Sequence, residues 1–330
     1  MKHLIFGSGL IGTYMAGCFI NQGLDISLHG RPSSRQALAN GLIVSDLEGH
    51  RVELAAPTFA EAGQTFDVIW LTVKATSVEG CLEEVKAYTQ ANTLIVCCQN
   101  GFGSDAAVRE VFAEHTVINA IMGNNVAVID GNEFKRSTDG VMVVESDERI
   151  LDEMIKAHSD LLNVRVATDM QAERWAKLQL NLANAVNAVA DVPAKQMSED
   201  SNYRKVISGL MRELIVLSRA MKMDLPTLSA LPAHWLPRVM GLPNWIYLPM
   251  AQKTLAIDPT ARSSMWWDLS QNKPSEIAYL NQALVEKGKE LGISCPMNER
   301  LVAIVQQVER GERQIGIGSK QLRRELMGKS

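Results

Sequence analysis

One stretch of the chain combines a lysine with several amides in a pattern that could serve catalysis. Lys177, Asn181 and Asn184 recur at helical spacing within the largely apolar run 175–187. At 100° per residue, these three side chains fall within a sector of about 60° on one helix face. Burying a cation and two amides is costly unless each group has a partner. A polar ligand facing this helix would supply the partners, and a structural amide ladder between helices is the alternative.

A second candidate site lies at the start of the chain, where an apolar run leads into a glycine-rich turn. In this setting Gly7 permits a tight turn, Gly9 lets the backbone approach a pyrophosphate, and Gly12 lets the following helix close on the strand. The pyrophosphate then meets free N–H groups at the positive end of the helix dipole. We therefore predict a dinucleotide site formed by Gly7, Ser8, Gly9, Leu10, Ile11 and Gly12.

The end of the second predicted strand, 25–29, indicates which dinucleotide is bound. Sites for NAD usually offer a carboxylate to the ribose hydroxyls at this point. Here the strand is followed by Gly30 and Arg31, and no carboxylate is present to repel a 2′-phosphate. Arg31 offers a planar guanidinium that matches phosphate oxygens, and Arg35 is a second candidate contact. We predict NADP(H) as the cofactor, and a solvated loop arginine is the alternative reading of Arg31.

Two further polar side chains follow predicted buried strands. Lys74 ends the run Trp-Leu-Thr-Val-Lys, and Asn100 follows a Cys-Cys-Gln sequence and precedes Gly101. Ligands of open α/β sheets collect beyond the carboxyl ends of the strands. Both residues are therefore candidates for ligand contact, although each could equally be an ordinary turn residue.

Length and composition restrict the class of protein. A chain of 330 residues predicts two domains, and its net charge of −4 gives no nucleic-acid footprint. No apolar run reaches membrane-spanning length, and the six histidines lack metal-ligand spacing, so neither a membrane partner nor a metal site is predicted. The first strand already begins at residue 2, and the five cysteines include no C-x-x-C pair. These features favour a cytoplasmic protein with reduced thiols.

The elements that must position these residues change character along the chain. Residues 1–168 alternate β-rich runs with helical patterns, which predicts a doubly wound parallel α/β sheet of Rossmann type with a late antiparallel hairpin near 124–131. Residues 169–330 are predicted to form an all-α domain. The strand candidates are 3–6, 25–29, 67–73, 93–98, 116–121, 125–129 and 140–145, and the long helical periods are 171–190, 201–223 and 275–291.

Two segments of the second domain carry further expectations. The proline-rich segment 232–250 argues against one regular helix. Ser275 could cap the predicted helix 275–291, which would place Glu276 in its first turn as an ordinary dipole contact.

The motifs taken together resemble those of the ketopantoate reductases (2-dehydropantoate 2-reductases), and the similarity covers most of the chain. The Lys-Leu-x-x-Asn helix combined with Ser-Ser-Met and a Glu-Ile pair twelve residues later is more specific than the glycine turn. The matching elements are Gly7-x-Gly9-x-x-Gly12, Arg31, Val73-Lys74, Asn100-Gly101-x-Gly103, Trp175-x-Lys177-Leu178-x-x-Asn181, Ser263-Ser264-Met265-x-x-Asp268, Ser275-Glu276-Ile277-x-x-Leu280-Asn281 and Pro296-x-Asn298.

The resemblance implies NADPH-dependent reduction of the C2 carbonyl of 2-dehydropantoate to (R)-pantoate, for pantothenate biosynthesis. Within it, Lys177 matches the catalytic lysine, a general acid, and Glu276 matches its acidic partner. Asn181 and Ser264 match substrate-contacting positions, and Asn100 matches an asparagine near both nicotinamide and substrate. Lys74 matches a lysine beside the cofactor. A homodimer that forms through the helical domain is a further expectation.

The chain departs from the family pattern at two positions that concern the substrate. Ala185 stands where a second helix asparagine is usual, and Asn184, one residue earlier on the Lys177 face, could substitute for it. Ala194 stands where an asparagine often follows the proline. These changes motivate one alternative, a reductase of another small 2-oxo acid on the same scaffold. A second alternative, of a different class, is a non-catalytic NADP(H)-binding sensor.

Overall fold

The chain divides into two compact units in the structure. The computed structural model describes residues 1–229, 231–252 and 259–328. The first unit is Met1–Glu173 and the second is Arg174–Ser330. The first is a mixed α/β unit and the second is built from helices.

The first unit contains strands throughout its length and helices between them. Its strands are β1 (Lys2–Phe6), β2 (Asp25–His29), β3 (Leu42–Ser45), β4 (Arg51–Leu54), β5 (Thr58–Phe59), β6 (Val68–Leu71), β7 (Leu94–Cys97), β8 (Thr116–Met122), β9 (Val126–Asp130), β10 (Glu133–Arg136), β11 (Met142–Val144) and β12 (Val164–Val166). Its helices are α1 (Leu10–Asn21), α2 (Pro32–Ala37), α3 (Val78–Lys86), α4 (Ser104–Val111) and α5 (Leu151–Ala157), with a 3₁₀ turn at Ala75–Ser77.

The larger sheet has the order expected of a doubly wound fold. Its strands run β12-β11-β8-β7-β6-β1-β2-β5, and those from β8 to β5 pair in parallel. Strands β6 and β7 are buried along their whole length, which explains their continuous apolar sequences. The chain passes from β1 to β2 on one side and later returns to β6 on the other side of β1. That reversal is the point where open α/β sheets bind ligands.

A second, smaller sheet was only partly predicted. It has the order β4-β3-β10-β9. The predicted late hairpin is confirmed, since β9 and β10 pair antiparallel through a turn at Gly131. Strands β3, β4 and β10 were missed. Strand β4, at the edge, has no buried residue to create an apolar pattern, and three of the four residues of β10 are charged.

The regular secondary structure of the second unit, within its described residues, is helical. They are α6 (Met170–Ala190, which begins in the first unit), α7 (Ala194–Glu199), α8 (Ser201–Ala220), α9 (Leu236–Met240), α10 (Asn244–Met250), α11 (Ser264–Ser270), α12 (Asn281–Glu290), α13 (Pro296–Glu309) and α14 (Ser319–Met327), with a 3₁₀ turn at Ile277–Tyr279. Asp169 and Asp200 begin α6 and α8 by accepting backbone hydrogen bonds at 3.0 and 2.7 Å.

The prediction of one helix over 275–291 is wrong. The Ser275 hydroxyl accepts a hydrogen bond from Ile277 N (3.3 Å), but the turn that follows is 3₁₀ and ends at Tyr279. The chain breaks at Leu280, whose φ of −109° and ψ of −98° are not helical, and α12 begins at the next residue. The Asn281 amide is directed to Asn298 Oδ1 (2.9 Å), a buried contact that the helical periodicity does not reveal. Glu276 therefore lies in front of a short turn.

The proline-rich segment 232–250 forms two short helices, α9 and α10, as its prolines predict. A fully buried arginine, Arg204 of α8, holds this segment. Its guanidinium donates to the Leu242 carbonyl (2.9 Å) and to Asn244 Oδ1 (2.7 Å), and it stacks on the Tyr247 ring at 4.0 Å. Further bonds go to the Ser198 carbonyl (3.0 Å) and the Glu199 carbonyl (3.2 Å).

We expect Arg204→Lys to lower the free energy of unfolding by about 2 kcal/mol, because one ammonium cannot satisfy acceptors that the planar guanidinium reaches together. Urea denaturation followed by circular dichroism measures this. Arg212→Lys, at an exposed position of the same helix, is the matched control. Equal stability of the two variants would contradict the role assigned to Arg204.

Candidate active site

The glycine-rich turn connects β1 to α1 and leaves one side open. Gly7 adopts a φ of +122°, which a residue with a side chain rarely adopts, and its N–H donates to the His29 carbonyl at 3.1 Å. Gly9 is the N-cap of α1, and an added Cβ there would meet nothing within 4 Å. The turn therefore offers the N–H groups of a helix N-terminus beside unoccupied space, which fits a pyrophosphate.

Gly12 closes the turn by a contact tighter than the sequence indicates. An added Cβ would lie 2.0 Å from the Gly7 carbonyl oxygen and 2.4 Å from Thr72 Oγ1. The missing side chain thus allows α1 to approach the turn itself and the residue after β6, in addition to the strand.

The predicted cofactor residues of the first unit all follow neighbouring parallel strands. The glycine turn follows β1, Arg31 follows β2, Lys74 comes shortly after β6, and Asn100 comes shortly after β7. These four strands are adjacent in the order β7-β6-β1-β2. The structure therefore brings these residues to one edge of the sheet.

The two candidate arginines differ in their surroundings. Arg35 donates to the Ala60 carbonyl at 2.9 Å, and its guanidinium lies over the Phe59 ring at 4.8 Å. Arg31 is exposed at the N-cap of α2. Arg35 thus has a structural role against β5, and Arg31 is the better placed of the two to contact a phosphate.

The lysine of α6 lies in an environment that changes its acidity. Lys177 is partly buried, Asn181 is buried, and Asn184 is partly buried on the same helix face. Burial lowers the pKa of the Lys177 ammonium group below its usual value, because removal from water disfavours the charged form. A lysine with a lowered pKa releases its proton more readily than an exposed lysine, which suits a proton donor.

The serine pair is held against the C-terminal half of α6. Ser263 caps α11 and accepts from Trp266 N (3.2 Å). Its hydroxyl donates to the Asn184 carbonyl at 3.1 Å, and its N–H donates to Asn187 Oδ1 at 2.8 Å. These bonds place Ser264, the first residue of α11, next to the turn of α6 that carries Asn184.

Asn187 has a structural role in this arrangement. Its amide nitrogen donates to the Val192 carbonyl at 2.8 Å while its oxygen accepts from Ser263. Asp191, which the sequence did not single out, anchors the same segment by pairing with Arg262 (2.8 Å) and accepting from Trp266 Nε1 (2.7 Å). A positive φ of 53° at Asp191 allows the chain to turn just after α6.

The acidic residue of the predicted site is buried in the second unit. Glu276 is 8% exposed, and the preceding residue, Ser275, is fixed by its N–H bond to Glu309 Oε1 at 2.8 Å. Asn281 and Asn298, which end two separate elements of the family pattern, bond to each other (2.9 Å), and Asn298 also donates to Glu213 (2.7 Å). That pair stabilises the packing of α12, α13 and α8.

The described residues contain a group that could ligate a metal, formed by Asp46, Glu48 and His50. Its carboxylates are paired with Arg136, at 3.4 Å from Asp46 and 2.6 Å from Glu48, and His50 bonds to Asp46 at 2.7 Å. These contacts form an ion-pair network.

No helix within the described part of the chain has the length and apolar character to cross a membrane.

Family models match both units of the chain. A model described as ketopantoate reductase PanE/ApbA matches residues 3–148, and one described as the C-terminal part of the same family matches residues 169–309. The chain belongs to the ketopantoate reductase family. Together with the glycine turn, membership supports a nicotinamide dinucleotide as cofactor.

Two relatives of this ketopantoate reductase family member match along nearly their whole length. The 2-dehydropantoate 2-reductase of Archaeoglobus fulgidus is 24% identical over 316 residues, which cover 93% of this chain and 97% of that protein. The enzyme of the same name from Aquifex aeolicus is 26% identical over 322 residues, which cover 94% of this chain and 97% of that protein.

Solved structures share the fold. A ketopantoate reductase from Ralstonia eutropha aligns with a TM-score of 0.76 at 24% identity, covering 94% of this chain and 99% of its own. D-mandelate dehydrogenase with NADH and anilino(oxo)acetate aligns with a TM-score of 0.74 at 20% identity and the same coverage. A dimeric ketopantoate reductase from Staphylococcus aureus aligns with a TM-score of 0.72 at 16% identity, covering 95% and 100%. The Rossmann-type sheet followed by helices is thus confirmed.

Proposed function

We propose that the protein reduces 2-dehydropantoate to (R)-pantoate with NADPH, a reaction that serves pantothenate biosynthesis. Membership of the family and the names of the relatives support this activity. The observation that carries the proposal is the partly buried Lys177 with Asn181 and Asn184 on the same helix face. A cation and two amides on that face match a substrate that carries a carboxylate, a ketone and a hydroxyl group.

The proposed mechanism assigns each residue a task. When bound, NADPH supplies a hydride to the C2 carbonyl carbon of the substrate. Lys177 stabilises the negative charge that develops on the ketone oxygen and donates a proton to it. Glu276 is the acidic partner that orients the ammonium group. Asn181, Asn184 and Ser264 bind the polar groups of the substrate.

In the first unit, the glycine turn from Gly7 to Gly12 would hold the pyrophosphate. Lys74 and Asn100 would contact the cofactor, and Asn100 is also proposed as a substrate contact. The fit rests on the open space beside Gly9 and on the common sheet edge that these residues share.

The choice of NADPH over NADH depends on Arg31. We expect Arg31→Ala to weaken NADPH binding about tenfold and to leave NADH binding unchanged, because only NADPH carries the 2′-phosphate that the guanidinium would bind. Titration of each dinucleotide by fluorescence measures both dissociation constants. Arg35→Ala should change the preference less, since Arg35 is engaged with Ala60. Equal loss of affinity for the two dinucleotides would contradict the assignment.

Two alanines, Ala185 and Ala194, concern the identity of the 2-oxo acid substrate. Because both positions are alanines, neither offers an amide side chain to a substrate. Ala185 is fully buried, and the N–H of Ala194 donates to the Ala261 carbonyl at 2.8 Å. A reductase of another small 2-oxo acid is therefore the second candidate. NADPH oxidation measured across a panel of 2-oxo acids separates the two, and we expect the highest kcat/KM with 2-dehydropantoate.

Two outcomes of this panel would change the assignment. Turnover of other 2-oxo acids without turnover of 2-dehydropantoate would support the second candidate. Tight NADPH binding without reduction of any member would support the non-catalytic sensor.

We further propose a homodimer, as for the Staphylococcus aureus neighbour, which light scattering of the purified protein checks.

A further inference from the structure

The ends of three adjacent strands are joined by two side chains for which the proposed reaction has no task. Thr72 follows β6 directly, and its N–H donates to the Phe6 carbonyl of β1 at 3.0 Å. Its hydroxyl donates to the Gly7 carbonyl at 2.7 Å, with the Phe6 carbonyl also within reach at 3.2 Å. Thr72 thus binds the end of β6 to the first residue of the glycine turn.

The Thr72 hydroxyl also lies close to two glycines of the turn, at positions where a side chain would clash with it. An added Cβ would approach Thr72 Oγ1 to 2.9 Å at Gly7 and to 2.4 Å at Gly12. The hydroxyl is therefore packed against both ends of the turn while it bonds to one of them. A displacement of Thr72 must displace the turn.

Gln99 joins the same segment to the next strand. It follows β7, and its amide nitrogen donates to the Leu71 carbonyl at 2.7 Å and to the Val73 carbonyl at 3.1 Å. Those two carbonyls flank Thr72. The neighbours of this tie are Lys74 on one strand end and Asn100 on the other.

We propose that Thr72 and Gln99 are positioning residues that hold the dinucleotide-binding edge in its binding conformation, an inference that rests on the proposed function. Thr72 fixes the carbonyl of Gly7, so that the N–H groups of the turn keep their direction towards the pyrophosphate. Gln99 fixes the backbone that leads to Lys74 and Asn100. Groups held before the ligand arrives do not have to be ordered on binding, which raises affinity.

The first arm of the test compares hydroxyl and methyl groups of equal size. Thr72→Val should raise the dissociation constant of NADPH about tenfold, because the Gly7 carbonyl loses its donor. Thr72→Ser keeps the hydroxyl and should retain most of the affinity. Thr13→Val is the matched control, since Thr13 is buried beside Gly12 and its hydroxyl has no hydrogen-bond partner among the described residues. Thermal unfolding of each variant reports stability separately.

The second arm uses the pH dependence of a Gln99→Glu variant. Its carboxylate has no donor for the two carbonyls, so the activity relative to wild type should be low at neutral pH. Protonation restores one O–H donor, and the relative activity should therefore rise as the pH is lowered. A residue that only fills space would not give this pH profile.

The outcomes distinguish this inference from the proposed function. Wild-type protein that binds neither NADPH nor NADH would contradict the proposed function itself. Wild-type binding with unchanged affinity in Thr72→Val would overturn the positioning role alone. If Thr72→Val does not fold, a pH-independent activity ratio of Gln99→Glu to wild type overturns it.

Discussion

Replacement of Lys177 by methionine is expected to lower kcat about 10²- to 10⁴-fold while the dissociation constant of NADPH stays near its wild-type value. Methionine fills a similar volume without a charge, so the helix packing is kept and only the proton donor is removed. Lys205→Met is the matched control, because Lys205 is also a partly buried lysine on a helix of the second unit. Steady-state kinetics with NADPH titrations measure both quantities.

The pH profile gives a second test of the same residue. A general acid must be protonated, so activity should fall as the pH rises through the pKa of Lys177. Because burial lowers that pKa, the fall should begin below the value of 10.5 that is usual for lysine. Unchanged kcat in Lys177→Met would contradict the general-acid role. A loss of fold or of NADPH binding instead would show that Lys177 is structural.

Gly12→Ala is expected to weaken NADPH binding about 100-fold and to lower the melting temperature. The new Cβ would lie 2.0 Å from the Gly7 carbonyl oxygen, so the turn or the helix must move. Overpacking of this kind costs typically about 1–3 kcal/mol, and each 1.4 kcal/mol is about tenfold in affinity. Equilibrium binding and thermal unfolding measure the two effects.

Two other glycines serve as comparisons. Gly9→Ala should fold normally, because its Cβ meets nothing within 4 Å, yet it should bind NADPH more weakly because that space is where the pyrophosphate is proposed to lie. Gly80→Ala, at an open position of α3, should change neither binding nor fold adversely. Normal NADPH binding by Gly12→Ala would contradict the proposed cofactor site.

The sequence predicted the elements that are long and strongly patterned. Strands β6 and β7 were readable because buried parallel strands are continuously apolar. Strands β1 and β2 were readable from the glycine turn that follows β1 and from the expected distance between that turn and β2. Helix α6 was readable from the helical spacing of its apolar residues. The same spacing showed that Lys177, Asn181 and Asn184 share one helix face.

Other features could not be read because they depend on distant partners. The break at Leu280 lies next to the contact between Asn281 and Asn298, which are seventeen residues apart. Thr72 and Gln99 act on backbone carbonyls, and bonds of that kind leave no spacing pattern in a sequence. The sequence favours Arg31 as the phosphate contact with Arg35 as a second candidate, but it does not reveal that Arg35 is bonded to the Ala60 carbonyl.

Transfer of a label from the cofactor to the product tests the central claim most directly. The wild-type protein is mixed with 2-dehydropantoate and NADPH that carries deuterium at both C4 positions of the nicotinamide, and the product is analysed by NMR. The account predicts pantoate with one deuterium atom at C2. Failure to form pantoate, or pantoate without deuterium at C2, would contradict it.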